Sequence, residues 1–492
     1  MTKYIMSFDA GTTSCRAVIY DKTFKVVAMT QREFPQYYPK PGWVEHNGME
    51  IWGTMIGVSQ EALAQSDIKP EDIHAIGITN QRETTLLWNR DTGKPVAPAI
   101  VWQCRRSSEI CETWKNMGLE ETVKSKTGLT LDAYFSASKI KWILDNIPEA
   151  KALVEKDKLC FGTIDTWLIW NLTGGKTHAT DYSNASRTML FDIHRMCWSE
   201  ELLNAFDIPL SILPKVYPSD QCFGHTSSSW FNSTSIPIYG VLGDQQAALY
   251  GHQCYEPGMI KSTYGTGCFL LMNTGNHPMN SFNGLISTVA WGEEGEVYYA
   301  LEGSVFIGGA AVQWLRDELR IINSSPESES IALSANPDHG LTVIPAFTGL
   351  GAPYWDMEAR GAILGITRGS TWKDLVRATL ESIALQVADV VNAMKEDSGI
   401  TPMELRADGG AAANEFLMQF QADILQIPVI REEILEMTAF GAASMAAKAS
   451  GFNEKPDATF RSADFIYEPK VHKVIADKII DNWKKQVNRI RT

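Results

Sequence analysis

Apolar and polar positions change period repeatedly along this chain. Tyr4-Ile5-Met6-Ser7-Phe8, Arg16-Ala17-Val18-Ile19-Tyr20 and residues 25–30 are short apolar runs parted by turns, which predicts consecutive antiparallel strands. Ile73–Thr79 reads as a buried strand, and residues 135–145 as a helix. Phe161–Asp165 opens a further helical segment at Thr166–Trp170. Ile236–Leu242 is a strand that ends on Gly243-Asp244-Gln245-Gln246 and feeds an Ala/Leu-rich helix. Gly258–Tyr264 and Cys268–Met272 are strands on either side of Gly265-Thr266-Gly267. The clearest helix spans 371–395. Thr371 and Asp374 suit a capping box, and Val376, Leu380, Ile383, Val387, Val390 and Met394 recur at helical spacing as a core stripe. Met403–Ala407 then runs as a strand into Asp408-Gly409-Gly410, and Ala411–Asn414 starts a helix continuing through Phe420 and Ile424. Short strands alternating with helices throughout is the pattern of α/β domains.

The order strand, Gly/Thr turn, strand occurs twice, near residue 11 and near residue 266. This reads as an internal duplication with a boundary near residues 250–258. Two halves carrying matching turns could close on one nucleotide from opposite sides. The length, 492 residues, suits two large domains or roughly three smaller ones.

Composition narrows the chemistry. With 44 Lys and Arg against 58 Asp and Glu, the net charge of −14 argues against nucleic acid or an anionic membrane as the main partner. Any anion site must therefore be built locally. No apolar run approaches the ~18–20 residues of a membrane span, and the N-terminus lacks a signal-peptide pattern. The eight cysteines include no CxxC pair, and no HExxH occurs, so neither a zinc site nor a redox dithiol is expected. Scattered cysteines without a signal suggest reduced thiols in the cytoplasm.

Asp9-Ala10-Gly11-Thr12-Thr13 suits a polyphosphate: backbone N–H groups and hydroxyls can face its oxygens while Asp9 holds a metal. The same turn could be a plain hairpin. Residues 408–410 place free N–H groups and a positive dipole end at a third Gly-rich turn. Gly174-Gly175-Lys176-Thr177 imitates the end of a P-loop, but its first glycine would fall at Trp170; no GxGxxG follows the first strand either. Arg82 and Glu83 follow the 73–79 strand. They fit a solvated ion pair, or a polyol clamp in which Arg donates and Glu accepts, since a buried hydroxyl left unpaired is costly. Asp244 closes a strand, where it could act chemically or simply cap the following helix. Trp102, Tyr134 and Phe269 are core aromatics or an apolar wall for a small substrate.

Longer stretches carry a resemblance. Asp9–Arg16 (DAGTTSCR), Gly77–Thr84 (GITNQRET), Ala99–Arg106 (AIVWQCRR), Gly243–Gln246 (GDQQ), Thr263–Phe269 (TYGTGCF), Pro345–Asp356 (PAFTGLGAPYWD) and Asp408–Asn414 (DGGAAAN), with Tyr134–Asn146 and Gly361–Glu381, resemble the FGGY carbohydrate kinase family over almost the whole chain. Asn80–Glu83 with Trp102, Tyr134 and Asp244 is similar to members that phosphorylate glycerol rather than a pentulose. The resemblance implies two ribonuclease-H-like domains of the actin/hexokinase ATPase type flanking a cleft. It implies an N-terminal domain over 1–252, a nucleotide-binding domain over 258–450, and a helical tail over 451–492 packed on the second domain. It further implies ATP and Mg²⁺ as cofactors, glycerol as acceptor, and a homo-oligomer (dimer or tetramer). Thr12, Thr13, Ser14 and Arg16 would contact phosphates; Thr266, Gly309, Gln313, Gly410 and Asn414 would bind the nucleotide. Arg82, Glu83, Trp102, Tyr134, Asp244, Gln245 and Phe269 would bind the acceptor. Asp9 and Asp244 would lie at the metal, with Asp244 as general base. Another polyol or ketose, or a regulatory actin-like ATPase, are the competing readings. Trp230 stands where some bacterial relatives carry a phosphorylated regulatory His, so that control is not implied.

Overall fold

The apolar run near the N-terminus forms the strand Tyr4–Ala10, which lies in the middle of a six-stranded sheet. In the computed structural model, which describes residues 3–432, 436–452 and 465–491, this strand pairs antiparallel with Ser14–Tyr20. Val26–Glu33 continues that side, again antiparallel. On its other side the strand runs parallel to Ile73–Asn80, which runs parallel to Pro237–Gly243. Met259–Tyr264 occupies the equivalent place in a second, seven-stranded sheet. It is antiparallel to Cys268–Gly275 on one side, followed by Glu296–Val305 and Ile286–Glu293. On the other side it runs parallel to Glu404–Asp408, then Val429–Arg431. The two sheets thus share one order around their first strands, and the duplication expected from the two Gly/Thr turns is present in the topology.

Each sheet buries its own core. Met6, Phe8, Ile19 and Ile78 pack with Ile51, Met55, Ile164 and Leu168 of the helices Gly48–Ser66 and Ile164–Leu172. In the second half, Ile260, Leu270 and Leu405 pack with Leu380, Ile383 and Val387 of Trp372–Ser398 and with Leu417 of Glu415–Leu425. The long helix starts at the expected capping box: Thr371 accepts from the Asp374 N–H, and Asp374 accepts from the Thr371 N–H. The start after the 408–410 turn differs in detail. Residues 410–413 form a 3₁₀ turn, and Asn414, in extended conformation, caps the following helix by accepting from the Leu417 N–H.

One helix crosses over. Met437–Ala449 lies in sequence between Val429–Arg431 and Phe465–Tyr467, both strands of the second sheet, but packs beneath the first, where Phe440 and Ala443 meet Ile5, Val18 and Ala75. It also lies directly on the helix Asp244–Gly251. A Cβ at Gly441 would sit 1.8 Å from the Ala247 carbonyl oxygen, so only glycine permits this approach. Trp230 has a packing role, with its ring 4.9 Å from that of Trp52 and its Nε1 donating to the Asn171 carbonyl. In the tail, Lys473–Val487 buries Trp483, whose indole N–H donates to Asp389 at 2.6 Å. Residues 453–464 and 492 of the expected 451–492 tail lie outside the described residues. No helix among the described residues is long and apolar enough to cross a membrane.

His252 ends the Asp244–Gly251 helix and is fully buried. Its Nε2 meets Asp408 at 3.0 Å and its Nδ1 meets Glu432 at 3.1 Å. Burial opposes the charged ring, but the two carboxylates outweigh it and raise the pKa from 6.5 to about 9. A group raised on folding stabilises fully below its ordinary pKa, and this stabilisation is lost as pH rises through the folded value. The melting temperature of the wild type is therefore expected to fall between pH 6.5 and about 9 more steeply than that of His252→Gln. Parallel slopes in scanning fluorimetry across that window would rule this out.

Candidate active site

Strand ends, not helix faces, supply most of the candidate residues. The turn after Tyr4–Ala10 is pinned by its parallel neighbour: the Gln81 N–H donates to the Ala10 carbonyl at 2.8 Å and Gln81 Nε2 to that of Gly11 at 3.1 Å. Thr13 is exposed, and Gly11, Thr12 and Ser14 are half-buried, so the loop presents hydroxyls and N–H groups to the open side. Ser14 Oγ accepts from Gln31. Arg16 sits opposite Asp9 across the hairpin and reaches its carboxylate at 3.2 Å. The same guanidinium pairs with Glu436, at the start of the crossing helix, and with Gln31. Burial, then the charges of Glu436 and Asp244, push the Asp9 carboxyl up to about 7 despite Arg16. A buried carboxylate raised by neighbouring anions is a setting that favours a cation beside it.

Arg82 and Glu83 are not solvated: both are almost wholly buried. Arg82 Nη1 and Nη2 donate to the two Glu302 oxygens at 2.7 and 3.0 Å, a bidentate pair. Its Nη1 also reaches Gln246, and its Nε lies 3.2 Å from Asp244. Glu83 adopts a left-handed φ of 60°, unusual for a residue with a side chain, and accepts from Arg187 Nε at 2.6 Å. Arg187 Nη2 returns to Glu302 at 3.1 Å, closing a ring of two cations and two anions. The aromatic expectations fall beside it. Trp102 and Tyr134 meet edge to face at 5.5 Å, and the Arg187 guanidinium lies 6.0 Å from the Tyr134 ring. Trp102 Nε1 donates to Thr12 Oγ1 at 3.1 Å, so one chain of contacts joins the Arg82–Glu83 cluster to the Asp9–Thr13 turn.

Asp244 does not cap its helix. Gly243 takes the cap position and Asp244 the first helical one, with its carboxylate accepting from the Gln245 N–H. About a third of the side chain remains open, unlike its neighbours in the ring. Burial raises its pKa, and Arg82 and Lys261 work against that rise. Lys261, fully buried on the second sheet, donates to Gln245 Oε1 and approaches the Phe269 carbonyl at 3.4 Å. Gln245 and Phe269 are thereby joined to the same cluster.

The second half supplies two glycine turns. The N–H groups of Gly308 and Gly309 donate to the carbonyls of Thr266 and Gly265, each at 2.8 Å, where the helix Gly309–Asp317 begins. Thr266 and Gln313 are exposed. Gly410 is exposed, a Cβ added there would meet nothing within 4 Å, and Asn414 donates to Ser328. These groups line the second half and take no direct part in the charged ring. The sequence pattern alone did not single out Arg187, Glu302, Lys261 and Gln246. A lone Glu inside the apolar run Tyr298–Val305, and a lone Lys inside Met259–Tyr264, were the available signals.

Comparison with known sequences decides the family. The N-terminal domain of the FGGY family of carbohydrate kinases matches residues 4–251, and its C-terminal domain matches residues 260–450. The chain belongs to the FGGY carbohydrate kinases. A glycerol kinase of Thermoanaerobacter sp. (strain X514) is 57% identical over 491 residues, 99% of each chain. Among solved structures, Plasmodium falciparum glycerol kinase with ADP shares 35% identity at a TM-score of 0.95, covering 99% of this chain and 98% of that one. A Lactobacillus acidophilus xylulose kinase shares the fold at a TM-score of 0.89, with 23% identity and the same coverage, 99% and 98%. The FGGY architecture accordingly accounts for the paired sheets.

Adjacent glycines of the 408–410 turn should respond oppositely to an added methyl. At Gly409, with φ of 87°, a Cβ would lie 2.6 Å from the Tyr264 carbonyl oxygen, whereas at Gly410 it meets open space. Gly409→Ala is expected to cost about 1–3 kcal/mol in denaturant unfolding, and Gly410→Ala close to nothing. Equal destabilisation of the two would contradict this geometry.

Proposed function

We propose that the chain transfers the γ-phosphoryl group of ATP to a terminal hydroxyl of glycerol, giving sn-glycerol 3-phosphate. The observation that carries this reading is the meeting of Arg82 with Asp244, at 3.2 Å, beside the buried Glu83. An acceptor clamp and a half-open carboxylate share one place, and Thr12 of the phosphate turn is one aromatic contact away. The glycerol kinases at 55–57% identity supply the acceptor, and the ADP-bound relative supplies the nucleotide.

In this reading the Thr12–Ser14 turn and Arg16 face the phosphates. Thr266, Gly309, Gln313, Gly410 and Asn414 hold the nucleotide from the second half. One Glu83 oxygen is bonded by Arg187, which leaves the other to accept from hydroxyls. Most of Arg82's donors already meet Glu302, Gln246 and Asp244, so it offers the acceptor little more than one N–H. Trp102, Tyr134 and Phe269 would cover the CH groups, and Gln245 would add a polar contact. Asp244 accepts the hydroxyl proton. Phosphoryl transfer passes through a loose transition state, so the hydroxyl becomes acidic late, and a carboxylate raised by burial is basic enough. Asp9 and Asp244 fit Mg²⁺, which takes one or two carboxylates together with phosphate oxygens. When bound, the ion neutralises phosphate charge and orients the γ-phosphate. Closure of the two halves on the substrates would keep water from replacing the acceptor.

A coupled ADP-release assay with glycerol tests the reading. Clear preference for xylulose or ribulose would move the acceptor elsewhere in the family, and ATP hydrolysis indifferent to any polyol would favour an assembly ATPase. Asp244→Asn is expected to lower turnover by about 10²–10⁴-fold with glycerol affinity nearly intact. Near-normal turnover would remove Asp244 as the base. Gly410→Ala should weaken ADP binding roughly tenfold in calorimetry, because its methyl enters the open space the nucleotide is proposed to fill.

A further inference from the structure

Arg187 and Glu302 stand behind the clamp, where neither reaches the transferring group. Arg187 follows the short helix Tyr182–Ala185 and is completely buried. Glu302 comes from the strand Glu296–Val305 of the second sheet, while Arg82, Glu83 and Arg187 belong to the first half of the chain. The 2.7 and 3.0 Å bonds from Arg82 fix the plane of its guanidinium against Glu302. The 2.6 Å bond from Arg187 Nε fixes one Glu83 oxygen, and the 3.1 Å bond from its Nη2 anchors Arg187 to Glu302. Arg187 Nη1 is buried with no hydrogen-bond partner. A side chain retained only for stability would be poorly chosen, since a buried cationic donor left unmet is costly. What Arg187 contributes is the place and the charge of its neighbour.

Resting on the glycerol reading, we propose that Arg187 and Glu302 are positioning residues for the acceptor. Glu302 reaches from the second half to orient Arg82, Arg187 orients Glu83, and the clamp is complete only where the two halves meet. Electrostatics agree. Burial raises the Glu83 pKa, and Arg187 is the largest influence opposing that rise, ahead of Arg82. Glu302 acts in the opposite sense, while Tyr134 and Lys139 also face Glu83. An ionised Glu83 can only accept, which is the role two vicinal hydroxyls require; a protonated one would lose an acceptor site.

Steady-state kinetics with glycerol and ATP varied separately test this on the full chain. Arg187→Gln and Glu302→Gln are expected to raise the glycerol KM at least roughly tenfold. The ATP KM should stay within about twofold and kcat within about threefold, because neither residue meets the nucleotide or the transferring group. Arg187→Lys, which keeps the charge but not the fork, should fall between wild type and Arg187→Gln. An unchanged glycerol KM overturns the proposal. So does a parallel rise in both KM values, or a collapse of kcat at constant KM. Should the Gln variants fail to fold, Arg187→Lys and Glu302→Asp retain the charges and decide by the same split. A wild-type enzyme that does not turn over glycerol counts against the acceptor reading instead, which separates the two failures.

Discussion

Two arginines and two glutamates, Arg82, Glu83, Arg187 and Glu302, sit out of water with their charges alternating. Removing four ions from water costs several kcal/mol each, and only close, well-directed pairing offsets that. Each member therefore depends on the others. Glu302 is the member that cannot be supplied locally, because it arrives on a strand of the other sheet. The ring thus exists only if the halves are brought together, and the proposed acceptor clamp inherits that condition. The buried pairing is weak evidence for stability, since apolar replacements of such networks are often no worse. It is better understood as a means of holding Arg82 and Glu83 in one geometry, including the left-handed backbone at Glu83.

The rest of the site follows from a shortage of free positive charge. The chain carries a net charge of −14, and the cations near the turns already have anionic or carbonyl partners: Arg16 has Asp9 and Glu436, Arg82 has Glu302 and Asp244. In the proposed reaction, anion binding then falls mainly to oriented N–H groups and hydroxyls at strand ends, beside an Arg16 that is already paired. The excess of carboxylates around Asp9 is itself useful. Held near 7 by burial and two neighbouring anions even with Arg16 beside it, Asp9 stands to gain from a further cation.

Legibility in the sequence tracked the range of the determining interaction. The hairpin strands, the capping box at Thr371 and the 9–13, 265–267 and 408–410 turns depend on neighbours a few residues away, and the local pattern placed them closely. The crossing of Met437–Ala449 was not legible. Ala and Met on nearly every face carry no preferred side, and its destination is set by close approach to Ala247, some two hundred residues earlier. Of the site, the residues beside glycine turns and in strand-end motifs could be singled out, and the structure gathers Arg82, Glu83, Trp102, Tyr134 and Asp244 together. Arg187 and Glu302 escaped because their partners lie about a hundred or more residues away. The solvated-pair alternative for Arg82 and Glu83 also failed for want of tertiary information: adjacent opposite charges look the same on a loop whether or not a second sheet covers them.

The repeated topology explains how one site divides its labour. Both halves end their first strand in a glycine turn, and both place a parallel neighbour's end beside it: Asn80–Arg82 in one, Asp408–Gly409 in the other. With the same strand order around these turns, the few residues at those ends set the two halves apart. In the first half they are charged and rigidly paired, which suits an acceptor that must be oriented to a particular hydroxyl. In the second, beyond the paired Asp408, they are glycines and a capping asparagine, with open space over Gly410, which suits a large ligand bound through backbone and shape. His252 then joins the two, since its helix begins at Asp244 and its ring holds Asp408. One helix of eight residues thus ties the 408–410 turn of the second half to Asp244, the carboxylate proposed as the base.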